Sequence, residues 1–83
     1  MPGFGQVRWK NIRKMLEACA DGYSVEDKTH RRWVRYKGHT FHLPLGEHGT
    51  RDDPEIQLGQ VRRMVRHLQI DARCAERELP QLR

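Results

Sequence analysis

Residues 23–45 read YSVEDKTHRRWVRYKGHTFHLPL and are rich in aromatic and β-branched side chains, the types that favour β-strands. Turn residues divide this stretch into three predicted strands. Residues 26–28 are expected to connect the first strand to the second. Lys37-Gly38 predicts a tight hairpin between the second and the third, in which Gly38 supplies a positive φ. The stretch therefore predicts an antiparallel meander.

The third predicted strand alternates between an apolar and a polar set of side chains, namely Phe41, Leu43 and Leu45 against Thr40, His42 and Pro44. Because successive side chains of a strand point to opposite faces, one face of the sheet should be buried and the other polar. Pro44 has no backbone N–H to donate, which places the end of this strand at an edge of the sheet.

An amphipathic helix is predicted before the meander, from Gln6 to Ala20. Apolar residues recur there at i, i+3, i+4 and i+7, in the order Ile12, Met15, Leu16 and Cys19. Asp21-Gly22 should end this helix, because glycine accepts the left-handed conformation that a helix C-terminus commonly needs.

A second amphipathic helix is predicted after a polar loop at residues 46–54. The same apolar spacing recurs in Val61, Met64, Val65 and Leu68. This helix could begin at Asp53-Pro54, since aspartate caps free backbone amides and proline suits the first turn, or later, near Leu58. Residues 71–80 predict either a short extra helical turn or a loose tail.

The predicted order is helix, three-stranded antiparallel sheet, helix, which is an α+β fold. Two helices would cover one face of the sheet and leave the other face open to a ligand. A chain of 83 residues suits a single domain over residues 1–83. We expect its core at about residues 6–70 and a C-terminal extension or tail at residues 71–83.

The charge of the chain indicates an acidic partner. Sixteen Lys and Arg stand against eleven Asp and Glu, for a net charge of +5 and a pI near 9.8. The basic residues are concentrated at residues 8–14, 28–37 and 62–66. Clusters that share a face attract polyanions, so we expect nucleic acid, most readily RNA. A basic but passive solvated surface would have the same composition.

Cysteine and histidine spacing argues against a bound metal or cofactor. Cys19 and Cys74 are far apart and form no Cys-x-x-Cys pair, so we expect neither a zinc cluster nor a disulfide framework, and a reducing cytoplasm fits best. His39 and His42 point to opposite faces of a strand and have no evident third ligand. No apolar run approaches the roughly 18 residues of a membrane span, so no membrane partner is expected.

His30 is the candidate catalytic residue. It lies directly before Arg31 and Arg32, so an imidazole that exchanges protons near neutral pH stands among guanidinium groups suited to phosphate. Cleavage of RNA by its own 2′-hydroxyl needs a general base there and positive charge at the phosphate. The alternative is that His30 is a solvated or phosphate-contacting surface residue.

Two aromatic residues of the second strand are candidates for stacking on RNA bases. Alternation places Trp33 on the face opposite His30, and we expect it in the core beneath the helices. Tyr36 shares a face with His30, Arg32 and Val34, which makes Tyr36 the stacking candidate. Strand pairing alone would also explain it.

The run Lys28-Thr29-His30-Arg31-Arg32-Trp33 resembles the Gly-Ser-His-x-x-aromatic signature of HicA-type toxins, with Lys28 where that family has glycine. Residues 41–49 resemble the family's Val-x-Val-Pro segment and the His-Gly turn after it, which would include His48. Residues 55–70 are similar to the family's final helix. The resemblance covers roughly residues 7–70.

The resemblance implies a double-stranded-RNA-binding-like fold and a metal-independent endoribonuclease that cleaves mRNA, with His30 as its catalytic histidine. It also implies a HicB-type antitoxin as a protein partner. We expect the RNA-binding residues to be Lys28, Arg31, Arg32 and Tyr36. The alternatives are a non-catalytic RNA-binding module of the same fold and a surface that serves only an acidic protein partner.

Overall fold

A computed structural model of the protein describes residues 5–45 and 52–83. The described elements are, in chain order, β1 (Gln6–Arg8), α1 (Trp9–Cys19), β2 (Ser24–Asp27), β3 (Arg31–Tyr36), β4 (His39–Pro44), β5 (Glu55–Gln57), α2 (Leu58–His67), α3 (Ala72–Glu78) and a short 3-10 helix (Pro80–Leu82). The predicted α+β class and the order helix, three-stranded antiparallel sheet, helix are confirmed.

The three-stranded sheet has the order β2-β3-β4 and is antiparallel throughout. Lys37 and Gly38 form the β3–β4 turn with φ values of 50° and 84°, so the positive φ predicted for Gly38 is present and Lys37 has one too. The β2–β3 turn lies two residues later than predicted. Glu26 and Asp27 belong to β2, and the connection is formed by residues 28–30.

One face of this sheet is buried against the helices. Val34 and Leu43 supply the sheet's side of the core and are almost completely buried. The apolar stripes of both helices join them, with Ile12, Met15, Leu16, Val61, Met64 and Leu68 all buried. The burial of these apolar side chains is the main favourable term that holds the helices to the sheet.

The first helix, predicted from Gln6, begins later, at Trp9, and the second begins at the later of its two predicted starts, near Leu58. Residues 6–8 form β1, because Val7 is buried opposite Ile56 of β5 in a second, two-stranded sheet. Asp53 does not cap α2, which begins at Leu58. The Asp53 carboxylate instead accepts a hydrogen bond of 2.8 Å from the backbone N–H of Lys10, in the first turn of α1.

The C-terminal residues are part of the core. Ala75, Leu79 and Leu82 are buried in it, so the predicted limit of the core near residue 70 is wrong. A disulfide joins Cys19, the last residue of α1, to Cys74 in α3, with 5.7 Å between the two Cα atoms. The expectation that the cysteines form no disulfide is therefore wrong as well. The spacing rule failed because the two cysteines meet only through the tertiary packing of α3 on α1.

No helix in the described part of the chain is both long enough and apolar enough to cross a membrane.

Candidate nucleic-acid interface

The open face of the three-stranded sheet carries Trp33, and not Tyr36 as predicted. Val34 is fully buried and Tyr36 packs against the core, so alternation along β3 turns Trp33 away from the helices. The expected places of these two aromatic residues are therefore reversed. The prediction placed the Trp33 ring in the core. In the structure, the neighbouring Val34 is the residue of β3 that enters the core.

Trp33 is stacked on His42, its direct partner on β4. The two ring centroids are 4.5 Å apart and the ring planes differ by 17°. Two cations also lie over the indole. The Lys28 Nζ is 4.8 Å from its centroid and the Arg35 Cζ is 5.3 Å away. Cations are attracted to the negative face of an indole, so the ring and both charges form one unit.

Glu26 of β2 completes this unit, because it faces Trp33 across the β2–β3 pair. Its Oε2 accepts a hydrogen bond from Lys28 Nζ at 2.9 Å, and its Oε1 accepts one from Arg35 Nη1 at 2.7 Å. Hydrogen bonds from Lys28 and then from Arg35 hold the pKa of Glu26 below its ordinary value of 4.5. We call Glu26, Lys28, Trp33, Arg35 and His42 the Trp33 cluster.

His30 lies in the turn that joins β2 to β3, at one end of the three-stranded sheet. Thr29 and His30 form the tip of this turn, which the backbone hydrogen bond from Lys28 N–H to Arg31 C=O closes at 2.7 Å. The backbone carbonyl of His30 accepts from Leu45 N–H at 3.3 Å, and its side chain is exposed to solvent. The backbone of His30 is therefore fixed while its imidazole is accessible.

The two arginines after His30 have opposite environments. Arg31 is exposed and shares its face with Trp33 by alternation. Arg32 is only 6% exposed. It donates to Asp27 through Nε at 2.7 Å and Nη2 at 3.1 Å, and its guanidinium carbon lies 4.8 Å from the Trp9 ring centroid. The structure thus gives Arg32 a place in the protein interior and leaves Arg31 at the expected phosphate-binding surface.

The other histidines lie away from the Trp33 cluster or outside the described residues. His39 and His67 face each other edge to face, with centroids 6.1 Å apart, and Phe41 packs beside His67. Across residues 5–45 and 52–83, no group of three or more His, Cys, Asp or Glu side chains is arranged to hold a metal ion. His48 and the predicted His-Gly turn lie outside the described residues.

Lys28 is the member of the Trp33 cluster that was predicted as a site residue, whereas Glu26, Trp33, Arg35 and His42 were not. A signal for His42 exists in the sequence. The two-residue turn at Lys37-Gly38 pairs Tyr36 with His39. Three residues further from the turn on each strand, Trp33 is therefore paired with His42. Since His42 belongs to the polar set of β4, Trp33 must share the polar face. Glu26 carries no such signal, because the length of the β2–β3 turn cannot be read from its residues.

The arrangement offers a partly exposed aromatic ring bordered by positive charge. Unpaired RNA bases stack on aromatic side chains, and Lys and Arg bind the phosphates that connect them. Compared with known proteins, the chain matches no family model, no curated protein and no solved structure. The resemblance to HicA-type toxins therefore stays a prediction.

Proposed function

We propose that the protein is an endoribonuclease that binds RNA on the open face of its sheet and cleaves it with His30. One observation carries the proposal: Trp33 lies on this face between Lys28 and Arg35, beside the turn that exposes His30. The ring offers a stacking surface for a base, and Lys28, Arg35 and Arg31 offer charge to the flanking phosphates.

The proposed reaction needs no metal ion. His30 accepts the proton of a ribose 2′-hydroxyl, and the 2′-oxygen attacks the adjacent phosphorus. The bond from phosphorus to the 5′-oxygen breaks, that oxygen takes a proton from water as it leaves, and His30 returns its proton to the solvent. The products are a 2′,3′-cyclic phosphate and a 5′-hydroxyl end. Arg31, the exposed arginine next to His30, stabilises the negative charge that develops on the phosphate oxygens.

The experiment is incubation of the purified protein with a long mRNA in the presence of a metal chelator. The parent should cut the RNA, and His30→Ala should cut it at least about a hundredfold more slowly, because general-base catalysis contributes at least that factor. His67→Gln is the control, since His67 lies at the end of α2 beside His39. Equal rates for the parent and His30→Ala would refute the catalytic role of His30.

The second candidate is a non-catalytic module that holds RNA on the same face. The burial of Arg32 favours it, because only one of the two arginines expected beside His30 is exposed. The chelator experiment separates the two functions. Intact RNA that is retarded in a gel, with retardation that weakens as salt is raised, would indicate the module. A third candidate, a surface for an acidic protein alone, requires that RNA is not bound at all.

We also propose a biological role for the protein. It acts as a toxin that cleaves mRNA in the cytoplasm, and a HicB-type antitoxin neutralises it. The HicA-like run at residues 28–33 supports this proposal, and it coincides with the β2–β3 turn and the first half of β3. Expression of the parent should arrest growth and expression of His30→Ala should not. Growth arrest by both the parent and His30→Ala would contradict a toxicity that depends on RNA cleavage by His30.

A further inference from the structure

Glu26 makes an unusual arrangement on the open face, because its two carboxylate oxygens bind two different cations. Lys28 lies at 2.9 Å from one oxygen and Arg35 at 2.7 Å from the other. All three side chains are 42–45% exposed. Exposed ion pairs of this kind contribute little stability, so an anion from solution can displace the carboxylate.

The same two cations lie over the ring of Trp33, at 4.8 Å and 5.3 Å from its centroid. The Glu26 carboxylate is therefore an oxyanion held by two cations at the edge of an aromatic surface. A nucleotide carries two groups that fit this arrangement. Its phosphate is an oxyanion that the two cations can bind, and its base can stack on the indole. The cations and the ring thus match one nucleotide unit of a polynucleotide.

We propose that Glu26 occupies the binding site of an RNA phosphate in the free protein, and that RNA binds by displacing it. The inference rests on the proposed RNA binding and adds a regulatory contact to it. In the free protein Glu26 orders Lys28 and Arg35 beside Trp33. When RNA binds, the phosphate takes the cations, a base takes the ring surface, and the Glu26 carboxylate turns to solvent. Glu26 therefore keeps the affinity for RNA lower than the cations alone would give.

The test compares Glu26→Gln with Glu55→Gln. Both substitutions remove one negative charge, but Glu55 is an exposed residue of β5, in the two-stranded sheet. Binding of a fluorescently labelled, unstructured RNA oligonucleotide is measured by anisotropy at low salt. Glu26→Gln should bind about fivefold more tightly than the parent, whereas Glu55→Gln should change the affinity by less than about twofold. Circular dichroism checks that all three proteins are folded.

A second measurement locates the effect at the ring. Adenosine 5′-monophosphate is titrated while the indole N–H signal of Trp33 is followed by NMR, with adenosine as the ligand that lacks phosphate. The phosphate-bearing ligand should shift this signal at lower concentration in Glu26→Gln than in the parent. Adding Arg35→Ala to Glu26→Gln should remove the gain, because one of the two cations is then missing.

The outcomes separate this inference from the proposed function. Equal affinities of Glu26→Gln and Glu55→Gln for RNA and for the mononucleotide would overturn the role of Glu26 and leave RNA binding intact. A tighter mononucleotide site in Glu26→Gln without RNA binding by any of the proteins would support the phosphate site and refute the proposed function. A gain that survives Arg35→Ala would overturn the assignment of the site to this cation pair.

Discussion

Arg31 and Arg32 are neighbours in the chain, but the pleat of β3 gives them different roles. Arg31 points to the open face, where a guanidinium keeps its water and remains available to a ligand. Arg32 points to the core, where losing that water is costly unless the charge is paired. The two hydrogen bonds to Asp27 and the contact with the Trp9 ring provide the pairing. Arg32 is therefore a residue of the fold.

Asp27→Asn tests this role, because it removes the charge of the carboxylate that accepts both of these hydrogen bonds from the buried Arg32 guanidinium. The free energy of unfolding should fall by about 2 kcal/mol, a value reduced from that of fully buried pairs because Asp27 is 54% exposed. Urea denaturation measures it. The control Glu55→Gln should change the stability by less than about 0.5 kcal/mol. Equal stabilities of parent and Asp27→Asn would contradict a structural role for the pair.

Glu26 should titrate at a lower pH than an ordinary glutamate, because the cations favour its charged form. The stabilisation from this group is fully present above its ordinary pKa of 4.5 and is lost as the pH falls through the lowered pKa of the folded state. The carboxyl carbon signal of Glu26, followed by NMR against pH, measures the midpoint. Lys28→Ala should raise that midpoint. An unchanged midpoint would contradict the role of the Lys28 hydrogen bond in lowering the pKa of Glu26.

At the scale of the elements, two glycines with different backbones give opposite expectations. Gly38 has a φ of 84° in the β3–β4 turn, where a Cβ introduces strain. Gly59 lies in the first turn of α2 with open space around the position of a Cβ and no positive φ. Glycine costs backbone entropy in a helix, so alanine is favoured there.

Gly38→Ala should therefore lower the free energy of unfolding by about 1 kcal/mol, and Gly59→Ala should raise it by about 0.5 kcal/mol. Thermal and urea denaturation of both variants measure the two changes, and each variant serves as the control for the other. A loss of stability in Gly59→Ala would show that this glycine is required for close packing.

The elements with a periodic pattern could be predicted from the sequence, and those that depend on distant partners could not. The β3–β4 hairpin follows from Lys37-Gly38 and the alternation of β4, both of which are local. The strand at residues 6–8 exists only because β5 pairs with it. Asp53 is a sound capping residue by type, but the amide that it caps belongs to α1, which lies far away in sequence.

The candidate site follows the same division. The alternation of β4 and the two-residue turn contain enough information to pair Trp33 with His42, although we expected Trp33 in the core. The depth of Arg32 and the bridge made by Glu26 depend on the β2–β3 register, which a short polar turn does not specify. His30 was identified from its arginine neighbours and the resemblance, and the structure adds that it is exposed at a turn.

The disulfide joins two residues that are 55 positions apart in the chain. Closing a loop of this length lowers the entropy of the unfolded chain, which corresponds to about 4 kcal/mol of stability if the native geometry is unstrained. Reduction, or the double substitution Cys19→Ser and Cys74→Ser, should lower the urea midpoint accordingly. A reductant should have no effect on the double variant, and an unchanged midpoint for the reduced parent would contradict the bond.

The same bond turns the polypeptide from residue 19 to residue 74 into a closed covalent ring. The ring contains all three strands of the central sheet, the turn that carries His30, and α2. A protease that cuts one peptide bond within it, for example in the exposed β2–β3 turn, opens the ring without releasing a fragment. While the sulfur atoms remain bonded, damage at the β2–β3 turn leaves both pieces on one molecule, where they can stay paired and the cut chain can keep its shape.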